Sequence, residues 1–189
     1  MRVLLVALIS EGLLFVVATL LTQALHLELV WGISSTAAMS GVGLALPPLL
    51  LNTIMWERTR RRPDSPYARF SREIIVPLCK HVSIPVAGSI AILSGWCEEY
   101  FFRGALSASI ALYMGPLPAC LISSFLFAAI HFIGSFKRFG AMLPLYMLMG
   151  IYIWSAHNLS GSLFCVAVLH GFYNFMAILQ VKHRVRTVA

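Results

Sequence analysis

Six apolar stretches, at residues 4–25, 36–56, 84–112, 119–133, 141–155 and 163–181, leave this chain few ways to fold. An α-helix rises about 1.5 Å per residue, so roughly 20 apolar residues cross the hydrocarbon core of a bilayer with every backbone hydrogen bond satisfied internally. The alternation of apolar and polar residues that marks a membrane β-barrel is absent. The expected fold is all-α, a polytopic transmembrane helix bundle of about six spans. Residues 74–83, where Lys80 and His81 interrupt the apolar pattern, read as an interfacial helix or the beginning of the third span. With 189 residues there is no room for a separate soluble domain, so 1–189 is read as a single membrane domain.

Mean hydropathy of +0.85 with 11% charged residues lies outside the soluble range. That changes the meaning of the formal net charge of +7, which in a soluble protein would point to nucleic acid. Here the basic residues collect at Arg2, over 58–80, at Lys137 and Arg138, and after 181, which are alternate ends of the six stretches. They read as positive-inside topology signals, with the bilayer as partner, no nucleic acid, and both termini cytoplasmic. The first stretch exceeds the roughly 7–15 apolar residues of a signal-peptide core and is expected to be a retained span. Pro47-Pro48 is expected to kink the second. Cys79, Cys97, Cys120 and Cys165 stand singly without C-x-x-C spacing, which argues against a disulfide framework or a thiolate metal site. The sequence carries no signal of oligomeric state.

Charge inside a span is expensive, about 2.5–3.5 kcal/mol per residue at a helix centre, so Glu98, Glu99 and Arg103 within the third stretch need a reason. Glu99 and Arg103 are four apart and can pair on one helix face. Glu98 points about 100° away and is left free. One carboxylate is therefore expected to be structural and the other reactive. Two further pairs, Phe127-x-x-x-His131 and His170-x-x-x-Asn174, also share a helix face each. Taken singly, such residues are commonly interhelical hydrogen bonds. Taken together, a carboxylate, two imidazoles and an amide from three helices form a hydrolytic set. In it Glu98 takes a proton from water, the histidines orient that water or donate to an oxyanion, and Asn174 adds an oxyanion donor.

The ordered set Glu98-Glu99-x-x-x-Arg103, Phe127-x-x-x-His131 and His170-x-x-x-Asn174 resembles the three-part signature of the CAAX protease and bacteriocin-processing family, also called the ABI family. The resemblance covers 84–181, the expected catalytic core. It implies a glutamic-type intramembrane endopeptidase acting on a membrane-associated protein or peptide. Glu98 would be the water-activating base, assisted by His131. His170 and Asn174 would stabilise the oxyanion, Glu99 and Arg103 would form a supporting ion pair, and Phe127 would pack the site. The small size and short loops suggest a bacterial inner membrane. A metal-free site is expected. The competing arrangement places zinc on Glu98, His131 and His170 with an open position for water, although no H-E-x-x-H is present and the histidines come from separate helices. Two non-proteolytic readings stand beside it. One is a membrane immunity or scaffold protein whose polar cluster fixes helix packing. The other is an ion-coupled transporter with a Glu/His proton relay, against which the absence of an internal repeat counts.

Overall fold

The computed structural model describes residues 2–188, with side chains from 4 to 185, so the side chains of Arg2 and Arg186 that enter the topology argument lie outside the described residues. The described residues are helical and contain no strand. Leu4–Ala24, Ser35–Arg61, Phe136–Ser160 and Leu163–Val185 are long and apolar enough to cross a membrane, and Pro66–Cys79 with Ile84–Met114 adds a further span if that pair, bent by 113°, counts as one. The expected fourth span is displaced from its apolar run and too short to cross. Its helix, Pro116–Ile130, has 15 residues, fewer than the roughly 20 that cross a bilayer. Gly115, at φ 83°, and Pro116 start it ahead of Ala119, and the chain turns out of the helix at His131, before the run ends.

Helix α1 is Arg2–Ala24, followed by α2 (Ser35–Leu44) and α3 (Leu46–Arg61). Ser34 caps α2, its Oγ accepting from the Ala37 N–H at 3.1 Å. The break between α2 and α3 falls at Ala45, and the prolines occupy the first turn of α3. There a missing N–H costs little, and Ser35–Arg61 still counts as one span across the break. Next come α4 (Pro66–Phe70), a π-helical turn at Ser71–Ile75 and α5 (Val76–Cys79). Ser83 is extended at ψ 159° ahead of α6 (Ile84–Glu99), so residues 74–79 close the helical segment that begins at Pro66 and the chain bends sharply before α6. A second π-helical stretch, Tyr100–Leu106, leads to α7 (Ser107–Met114) and α8 (Pro116–Ile130). The short α9 (Phe136–Phe139) and a 3₁₀ turn precede α10 (Leu143–Ser160) and α11 (Leu163–Val188). Ser162 joins the last two to the loop after α1. Its Oγ donates to Trp31 O at 2.8 Å and accepts from Cys165 N at 3.1 Å.

The basic segments gather at the opposite end. Arg184 reaches Glu57 at 2.6 Å and Arg138 reaches Glu73 at 2.5 Å, tying α3, α11, α9 and the first π turn together.

At the centre α6 packs on α11, with α1 and α2 outside them and α8 against α10. The α6–α11 crossing is close because glycines meet backbone there. A Cβ on Gly95 would sit 2.5 Å from Ala167 O, and one on Gly171 would sit 2.8 Å from Ala91 O. Valine at Gly95 is therefore expected to force the helices apart and cost about 1–3 kcal/mol or more, read as a lower melting temperature in detergent. Gly88→Val is the control, since nothing lies within 4 Å of a Cβ on Gly88. Equal melting of the two variants would contradict this packing.

Candidate active site

The site forms where α6 widens into the π-helical stretch Tyr100–Leu106 and crosses α11. Such π segments recur at functional sites because they re-aim side chains without ending the helix. Glu99, at the last turn of α6, is fully buried, and Arg103 is 2% exposed. Arg103 Nη1 donates to Glu99 Oε1 at 3.3 Å, and Nε lies 3.1 Å from Oε2 in an ion-pair contact. Arg103 Nη2 donates to the Gly150 carbonyl at 3.1 Å, and the guanidinium stacks 4.4 Å above the Phe127 ring. Gly150 permits this because α10 touches α8 there, with Ser124 Cβ only 2.9 Å from where a Gly150 Cβ would stand.

Glu99 has a second partner that helix periodicity does not reveal. His170 Nδ1 lies 2.6 Å from Glu99 Oε1. A carboxylate can only accept, so Nδ1 carries the proton and Nε2 is the open ring nitrogen. His131 is held the same way, with Nδ1 at 2.7 Å from Phe127 O, and again Nε2 is open. His131 stands one residue beyond α8, in a turn, and is exposed. Phe127 lies between the two imidazoles, 5.0 Å from His131 and 5.8 Å from His170 between ring centroids, and Tyr146 flanks His131 at 4.9 Å. Asn174 Nδ2 donates to Ser94 Oγ at 2.8 Å, leaving its second amide hydrogen available.

Phe127, His131, Tyr146, His170, Tyr173 and Asn174 share the wall of one cavity of about 450 Å³. Glu98 is not on that wall. It is 8% exposed, its Oε2 is buried with no hydrogen-bond partner, and it lies within electrostatic range of His170 and Tyr146. The structure thus brings Glu99, Arg103, His170 and Phe127 into direct contact, sets His131 and Asn174 on the same cavity, and places Glu98 beside His170 without a bond to it. Among the described residues no three His, Cys, Asp or Glu side chains are grouped to hold a metal ion. Glu98, His131 and His170 are accordingly not arranged as a ligand set.

Some contributors lie outside the three motifs. Tyr146 and Ser94 carry no sequence signal that would single them out. Glu11 does carry one, because it is a carboxylate in the middle of the first apolar run, and the cost argument that picks out Glu98 applies to it equally. Glu11 is 8% exposed, with a buried, unpartnered Oε2.

A family model described as Rce1-like, type II CAAX prenyl endopeptidase Rce1-like, matches residues 80–176. No curated protein and no solved structure matches the chain.

Proposed function

The chain belongs to the Rce1-like family of type II CAAX prenyl endopeptidases, and from that premise we propose that it is an integral membrane endopeptidase using a glutamate-activated water. Its substrate is a membrane-associated protein or peptide, cut near the carboxy-terminal or membrane-proximal end.

The observation behind this reading is the inequality of two adjacent acids. Glu99 is committed to Arg103 and His170, whereas Glu98 keeps a buried oxygen with no partner. A water entering past His170 gives a proton to Glu98 and attacks the scissile carbonyl. His131 Nε2 accepts from the same water and fixes its direction. His170 Nε2, when protonated, and the second amide hydrogen of Asn174 face the developing oxyanion, each such donor contributing about 10²–10³ in rate. Glu98 then hands its proton to the leaving amine, so no net proton is gained or lost. Glu99 holds the Nδ1 proton of His170 and its ring orientation, as the carboxylate does in carboxylate–histidine pairs elsewhere. The cavity wall is mostly apolar and aromatic, with Met55, Phe70 and Met149 beside the site residues, which suits an apolar or lipid-modified substrate segment.

The test compares proteoliposomes carrying wild-type protein or Glu98→Ala, each incubated with the same solubilised bacterial membrane proteome and read by mass spectrometry of new termini. Cuts made only by the wild type are expected. Identical profiles would overturn the reading and leave the immunity or scaffold alternative, in which the buried network serves packing alone. Farnesylated and unmodified CAAX peptides, assayed side by side, separate a lipid requirement from sequence recognition.

A further inference from the structure

We propose that Glu11, from the first helix, is the second carboxyl of a two-acid site. It shares one proton with Glu98 and acts as the positioning residue for that base. The inference rests on the endopeptidase reading of Glu98. It concerns a residue outside the matched region 80–176.

The geometry of α1 points to it. This helix turns Leu8, Ile9 and Leu13 outward, where they are exposed, and turns its one central acid inward. It packs on α6 and on the Tyr100–Leu106 stretch, with Phe15, one turn beyond Glu11, 5.5 Å from the Tyr100 ring. Glu11 and Glu98 are each 8% exposed, and each has an Oε2 that is buried without a partner. The titratable groups within electrostatic range of Glu11 are Glu98 and Cys97 on α6 and His170 on α11. The nearby guanidinium of Arg103 is bonded to Glu99 and Gly150, and His170 Nδ1 is bonded to Glu99. No cation among these partners is bonded to the two acids. Two carboxyl groups that interact in a buried site disfavour being ionised together, which is the basis for a proton held between them.

In that state the Glu11 carboxyl donates its O–H to the Glu98 carboxylate. One Glu98 oxygen is thereby fixed and the other is directed at water. During hydrolysis a water O–H bond breaks, a Glu98 O–H bond forms, and the water oxygen bonds to the scissile carbon. When the C–N bond breaks, the Glu98 proton passes to the amine nitrogen. The Glu11 proton is neither consumed nor released.

Glu11→Leu and Glu11→Gln test this in proteoliposomes, with a quenched fluorescent peptide spanning a Glu98-dependent cut as the probe. Leucine inserts into a bilayer more readily than an acid, so lost turnover in Glu11→Leu is not lost insertion. Its kcat is expected to fall about tenfold or more with KM unchanged. Glu11→Gln, whose amide still donates to Glu98, is expected to keep more activity than Glu11→Leu. Its alkaline limb of kcat is also expected to shift, since the proton shared with Glu98 is gone and His170 alone releases one there. Wild-type kcat in Glu11→Leu, or an unchanged pH profile in Glu11→Gln, overturns the proposal. Infrared spectra supply a readout that needs no substrate. The same carboxylic C=O band is expected to change in Glu11→Gln and in Glu98→Gln, and a change confined to one variant overturns the pair. If no Glu98-dependent cleavage exists, the endopeptidase reading fails, and the infrared comparison still decides whether the two acids are coupled.

Discussion

Glutamine in place of Glu98 is expected to lower kcat by about 10²–10⁴-fold, the range associated with loss of a general base, while the protein melts no lower than wild type. The two halves of that expectation have separate causes. Activity falls because an amide cannot take a proton from water. Stability holds because the glutamine side-chain oxygen can still accept from Glu11, and an uncharged isostere removes a buried carboxylate whose Oε2 has no other partner. Turnover of a Glu98-dependent peptide and thermal melting, measured on the same preparation, check both. Full turnover in Glu98→Gln would remove the base from the mechanism. His131 makes a useful companion, since it stands at an exposed helix end. His131→Ala should reduce cleavage with little effect on melting, in contrast to His170→Ala, which also strips Glu99 of a partner at 2.6 Å.

The opposite pattern is expected next door. Glu99→Ala leaves Arg103, 2% exposed, with the Gly150 carbonyl and the Phe127 face as its remaining contacts, and frees His170 Nδ1 as well. Breaking one side of a buried ion pair costs about 3–5 kcal/mol, because the surviving charge is left uncompensated. Unfolding in detergent should show a loss of that order in Glu99→Ala. Much of it should return in the double variant Glu99→Leu with Arg103→Met, since apolar residues of similar volume commonly replace such pairs at little cost. A double variant as unstable as Glu99→Ala would mean that the network holds the helices by shape and not by charge. Neither variant should turn over substrate, because His170 loses its orienting carboxylate in both.

The Glu99–Arg103 pair was legible in the sequence because it is local, set by a spacing of four residues within one helix. The Glu99–His170 bond was not, because its partners are 71 positions apart and meet only through the close crossing of α6 and α11 at Gly95 and Gly171. Hydropathy located the apolar helices but could not tell a crossing helix from a short one. Residues 119–133 read as a span, yet their helix, bounded by Gly115-Pro116 and the turn at His131, has 15 residues, fewer than the roughly 20 that cross a bilayer. The proline pair was visible, and the helix is interrupted at Ala45, two residues before Pro47. Beyond Tyr100 a helical wheel also loses phase, since a π-helical turn holds more residues than an α-helical one. Glu11 was within reach of the cost argument, and Tyr146, an aromatic among aromatics in α10, was not.

The first helix is attached to its neighbours along a narrow edge, with 6% of its most apolar window buried. Lipid therefore surrounds most of its circumference. A helix held in this way takes its depth and tilt from the thickness of the hydrocarbon around it, by hydrophobic mismatch. The central helices α6 and α11, locked together through glycine, do not share that freedom. The height of Glu11 relative to Glu98 is then set in part by acyl-chain length, and lipid composition becomes a chemical variable of the site.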